Sequence, residues 1–102
     1  MPAAHAAVAT PDAARFLFKL CKHFAKKIPV DFDERQGRAE FAFGTCTLSA
    51  SETELRFDCD SQNDEALARL QSVLVEHLAL MTRANPLPVV WIAGVRPPVT
   101  AA

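Results

Sequence analysis

A chain of 102 residues, half of them hydrophobic, can bury one core without disulfides or a structural metal and is too short for a second domain of ordinary size. A net charge of −1 excludes an overall polyelectrolyte, and no apolar run approaches membrane-spanning length. The charge is nonetheless segregated: Arg15 to Lys27 holds five cations and no acid, whereas Asp31 to Glu76 holds eleven acids against four arginines.

The first residues, MPAAHAAVATPDAA, lack a basic leader followed by an apolar run and so do not read as a secretory signal, which points to the cytoplasm. Cys21, Cys46 and Cys59 are odd in number and without framework spacing, as expected of free thiols in a reducing compartment.

His5 to Thr10 is expected to form a short strand, resting mainly on Val8 because alanine is a poor strand former. Thr10 to Ile28 then reads as a helix, with Thr10 as cap, Pro11 at the first helical position and Asp12 at the positive end of the dipole. At about 100° per residue, Ala13, Leu17, Leu20, Cys21, Phe24 and Ile28 share one side. Arg15, Lys19, Lys22 and Lys26 share the opposite side, with Lys27 near the end where cations suit the dipole. Pro29 stops the helix.

Val30 and Phe32 alternate with Asp31 and Asp33 in a strand that ends at a turn through Arg35, Gln36 and Gly37. Ala39, Phe41 and Phe43 return along the next strand, opposite Arg38 and Glu40. The apolar positions change from odd to even between Phe43 and Cys46, so a bulge or bend is expected at Gly44. After a polar turn at Ser51 to Thr53, the residues Leu55, Phe57 and Cys59 mark a third strand of this run. Ser61 to Asn63 offers caps for a second helix with Leu67, Leu70, Leu74, Leu78 and Met81 inward, flanked by Ala66, Val73 and His77, and ending at Asn85 and Pro86. Leu87 to Ile92 suits a last strand, before a proline-stiffened tail.

The predicted fold is therefore α+β: a two-layer sandwich in which a mainly antiparallel sheet of about five strands carries two helices on one face, in the order strand, helix, three or four strands, helix, strand. Residues 1–96 form the single domain and 97–102 the tail.

Leu20-Cys21-Lys22-His23-Phe24 on the first helix, with Gly37, Phe41-Ala42-Phe43-Gly44 and Cys46 on the hairpin, resembles the bacterial family catalogued as domain of unknown function 2218. The resemblance covers nearly the whole chain and implies no assigned activity. Similar domains accompany siderophore-interacting flavoproteins, which implies by association a role in iron acquisition and such a flavoprotein as partner. The element order also looks like the TATA-binding-protein-like arrangement. Members often carry a second histidine where this chain has Lys26.

Four constellations invite a function. Cys21, Cys46 and Cys59 all fall on inward faces and, with His23 or His77, suit zinc or iron in kind, but they lack a CxxC pair, and buried cysteines usually act as small hydrophobes. Cys21 as a nucleophile served by a histidine conflicts with its place among Leu17, Leu20 and Phe24. Phe18 and Trp91 are read as core packing before pocket or interface. The cations Arg15, Lys19, Lys22, Lys26 and Lys27, with His23 at their edge, form the preferred binding surface, for an acidic protein or an anionic small molecule. Nucleic acid is disfavoured, since the rest of the chain is acidic, carries no recognition motif and has no tyrosine. The leading expectation is a non-enzymatic cytoplasmic binding or accessory domain without cofactor. A metal or redox protein and a structural homo-oligomer are the rivals.

Overall fold

Leu55, Phe57 and Cys59 are buried while Arg56 and Asp58 between them keep partial contact with solvent, so the strand that carries them has one face in the core. In a computed structural model, which describes residues 2–84 and 86–94, that strand stands inside a six-stranded sheet. The elements are β1 (Ala3–Ala9), α1 (Ala13–Phe24), β2 (Val30–Phe32), β3 (Gln36–Phe41), β4 (Gly44–Ala50), β5 (Glu54–Asp60), α2 (Asp64–Met81) and β6 (Ile92–Ala93). Every pairing is antiparallel, in the order β2-β3-β4-β5-β1-β6.

This order follows from the helices. From β1 the chain crosses the sheet as α1, descends at the far edge, and returns by the meander β2 to β5 until β5 lies beside β1. The second helix then crosses the same face, and β6 adds outside β1. The apolar stripes of both helices, including Leu17, Leu20, Leu70, Leu74 and Leu78, close over Ala6, Val8, Leu48, Leu55 and Phe57 as one core. Arg38, Glu40 and Thr47 face solvent on the other side, which makes two layers, as the pattern of amphipathic elements requires. Among the described residues, no helix is long and apolar enough to cross a membrane.

The second helix starts as its sequence dictates: Asn63 caps it, its Oδ1 accepting from the Ala66 N–H at 2.8 Å, with Asp64 and Glu65 in the first turn. Its end comes at Met81, earlier than Asn85 and Pro86 suggest, where the Thr82 hydroxyl donates to the Leu78 carbonyl.

The first helix is shorter than its sequence suggests. Thr10 is still tied to the sheet through its N–H to the Thr53 carbonyl (2.9 Å), so the helix begins only at Ala13. The Thr10 hydroxyl instead accepts the Asp12 N–H at 3.1 Å, stabilising the intervening turn. At the other end Phe24 is the last helical residue, and Lys26 and Lys27 lie on a turn whose N–H groups bond back to His23 and Phe24.

The change of parity near Gly44 is a hairpin turn rather than a bulge. Phe41 pairs with Gly44, leaving Ala42 and Phe43 as a two-residue loop. Gly44 has φ of +155°, and a Cβ there would collide with the Ser61 hydroxyl and the Asp60 carbonyl. The preceding turn also moves: it closes at Asp33 to Gln36, where the Asp33 carboxylate accepts from the N–H groups of Arg35 and Gln36, both at 2.8 Å. Gly37 lies inside β3.

Of the apolar run Leu87 to Ile92, only Ile92 enters the sheet, together with Ala93. Pro86 and Pro88 have no N–H to donate, and Val89 to Trp91 also stay outside the ladder. Trp91 stacks on Phe57 with ring centroids 6.0 Å apart. The expected helix end at Asn85 and the tail at 97–102 lie outside the described residues.

Candidate functional site

Burial of Ala13, Phe16, Leu17, Leu20, Cys21 and Phe24 fixes which way α1 faces, and leaves Arg15, Lys19 and Lys22 in solvent. Lys26 and Lys27 continue the cationic surface along the turn that follows. Among the described residues, the ion pairs join Arg38 to Glu40 and Arg56 to Glu54, so none of these five cations is neutralised by a carboxylate. Lys22 and His23 occupy the last turn, where the helix dipole favours positive charge.

Phe18 is not a core residue. It is 49% exposed, meets Phe32 edge to face at 5.8 Å, and lies 5.6 Å from the Lys22 ammonium. Its ring holds β2 to the outer side of α1 and adds an aromatic margin to the cationic surface.

The three cysteines are brought together, but away from solvent. Cys46 and Cys59 are cross-strand partners on β4 and β5, and Cys21 of α1 lies over Gly37. Burial pushes the Cys21 thiol up to about 11. Cys46 is raised well above the ordinary thiol value, first by burial and then by its neighbours Cys59, Cys21 and Asp58. Thiols buried in a core are poor nucleophiles and poor ligands, and here they fill space as small apolar groups. Among the described residues, no three His, Cys, Asp or Glu side chains are arranged to hold a metal ion.

A concave site lies where α1 ends. His23, Phe24, Lys27, Ile28, Phe41, Val73 and His77 line a pocket of about 220 Å³. The rings of His23 and His77 are 4.8 Å apart, and Phe24 contacts both Phe41 and His77 at 5.1 Å. His77 Nδ1 lies 2.7 Å from the Val73 carbonyl, which can only accept, so the proton resides on Nδ1 and Nε2 is left for another partner. His23 is held below its ordinary value of 6.5, first by loss of hydration and then by the charges of His77, Lys26 and Lys27.

Sequence periodicity placed His23 at the edge between the apolar and basic faces and His77 on the flank of α2. It gave no sign that the two imidazoles meet, because their helices are far apart in the chain.

The arrangement defines a small two-layer α+β domain with a cationic helix face and a histidine- and phenylalanine-lined pocket, without a catalytic constellation legible among the described residues. The chain belongs to the bacterial family of domain of unknown function 2218, described as an uncharacterized protein conserved in bacteria, whose profile matches residues 5–92. It is similar to PA4090 from Pseudomonas aeruginosa, known from an NMR structure, with 29% identity and a TM-score of 0.78 over 90% of this chain and 96% of that one. Comparison with curated proteins finds no match.

Proposed function

We propose that this domain is an accessory binding module that docks an acidic partner protein on the cationic surface formed by Arg15, Lys19, Lys22, Lys26 and Lys27, with His23 at its edge. The observation that carries this reading is that all five cations are exposed and, among the described residues, free of carboxylate partners in a molecule whose remaining charge is mainly acidic. Such segregation orients an acidic partner during encounter and holds it in register. A homo-oligomer built through the sheet edges has less to support it, since β2 offers three residues and β6 two.

The association of the family with siderophore-interacting flavoproteins makes such a flavoprotein from the same bacterium the first partner to test. Titration calorimetry at low and high salt, with the wild type and K19E/K22E, addresses both points. The expected result is binding that weakens with salt and is lost in the double variant, whose circular dichroism and melting remain those of the wild type. Binding that survives the charge reversal removes the surface assignment. Absence of binding to the flavoprotein, together with salt-dependent perturbation of the Lys19 and Lys22 amides by polyglutamate, removes the iron context and leaves the acidic-partner reading in place.

A further inference from the structure

We infer that the pocket between the end of α1, the middle of α2 and the end of β3 binds a small aromatic carboxylate. Its walls are apolar and partly aromatic: Phe24 and Phe41 meet edge to face with an interplanar angle of 76°, and Ile28 and Val73 complete them. Its polar groups are His23, His77 and Lys27, and among the described residues no carboxylate lines it. Such a set matches a ligand with a flat apolar body and one anionic end.

Size narrows the class. Apolar cavities of about 150 Å³ accept benzene, so about 220 Å³ takes one ring and its carboxylate but not a drug-sized molecule. Charge narrows it further. Lys27 lines the site and Lys26 is next to it in the chain, so a divalent cation would meet like charge with only two imidazoles to hold it. An anion relieves the same crowding of positive charge.

The carboxylate would accept from the Lys27 ammonium and from an imidazole N–H. Because the His77 Nδ1 proton is committed to the Val73 carbonyl, His77 can donate to a ligand only from a protonated Nε2. Neutral His23 has one N–H to offer the carboxylate, and His77 adds a second donor only when both of its ring nitrogens carry protons. This site shares His23 and Lys27 with the acidic-partner surface but not Lys19 or Lys22, so reversing those two charges separates the sites.

The test is an NMR titration of the histidine ring and Phe41 signals with benzoate and with the neutral isostere benzyl alcohol, in wild type, K27M, H77Q and K19E/K22E. Saturable shifts of both histidines and Phe41 are expected with benzoate, with about tenfold weaker binding of benzyl alcohol or of benzoate to K27M. H77Q should also bind benzoate more weakly, and K19E/K22E should bind it as the wild type does. Lys27 is exposed on a turn, so K27M tests the site even if H77Q fails to fold. Equal binding of the two probes, shifts confined to the Lys19 and Lys22 face, or saturable binding of Zn²⁺ without any of benzoate would overturn the assignment.

Discussion

The imidazoles of His23 on α1 and His77 on α2 lie 4.8 Å apart, tilted by 51°, and both line a pocket that Lys27 also lines. Two imidazoles from different helices are thus held together beside a lysine side chain.

This juxtaposition makes stability depend on pH. In the fold, His23 is held below its ordinary value of 6.5 by loss of hydration, His77, Lys26 and Lys27, whereas the unfolded chain takes up the proton near 6.5. Between those values the unfolded state binds more protons, so its contribution is complete above 6.5 and is lost as pH falls through 6.5 toward the lower folded value. Urea midpoints should therefore drop on acidification, and H23Q should show a shallower drop. Parallel curves for the two proteins would contradict the coupling.

Gly37 and Cys21 form a second contact across the layers. A Cβ on residue 37 would lie 2.5 Å from the Cys21 sulfur and 3.2 Å from Phe32 Cβ. Gly37→Ala should cost about 1–3 kcal/mol by overpacking. In a Cys21→Ala background the sulfur is gone and the new methyl has room, so the cost should shrink by about 1 kcal/mol or more. Urea denaturation of the four members of this cycle provides the check; additivity would mean that the two residues do not press on each other.

The core thiols should be slow to react. With Cys21 raised to about 11 and Cys46 also raised, little thiolate exists at these two positions at mildly alkaline pH, and all three cysteines are buried. A chromogenic disulfide reagent should modify the folded protein only as fast as the core opens and should titrate the three thiols promptly in urea. Rapid modification of one thiol in the native protein would reopen a redox role for it.

Much of the architecture was legible because amphipathic spacing is local. The stripe Ala13, Leu17, Leu20, Cys21, Phe24 on α1, the alternation Leu55, Phe57, Cys59 on β5 and the Asn63 cap of α2 each follow from neighbours within a few residues. The parity change before Cys46 was visible too, but a bulge and a two-residue hairpin leave the same mark; only the pairing of Phe41 with Gly44 distinguishes them. The run at Leu87 to Ile92 misled because apolarity alone does not secure a ladder partner, and only Ile92 of this run pairs with β1.

The candidate sites divide along the same line. The sequence by itself determined the cationic face, since helical periodicity forces Arg15, Lys19 and Lys22 opposite the buried stripe wherever the helix packs. Tertiary structure alone decided what faces what: that Phe18 stays in solvent against Phe32, that Cys46 lies across from Cys59, and that His23 and His77 share a pocket with Phe41. Side chains distant in sequence meet only when two helices settle side by side on one sheet, and that choice is made by packing of the whole core.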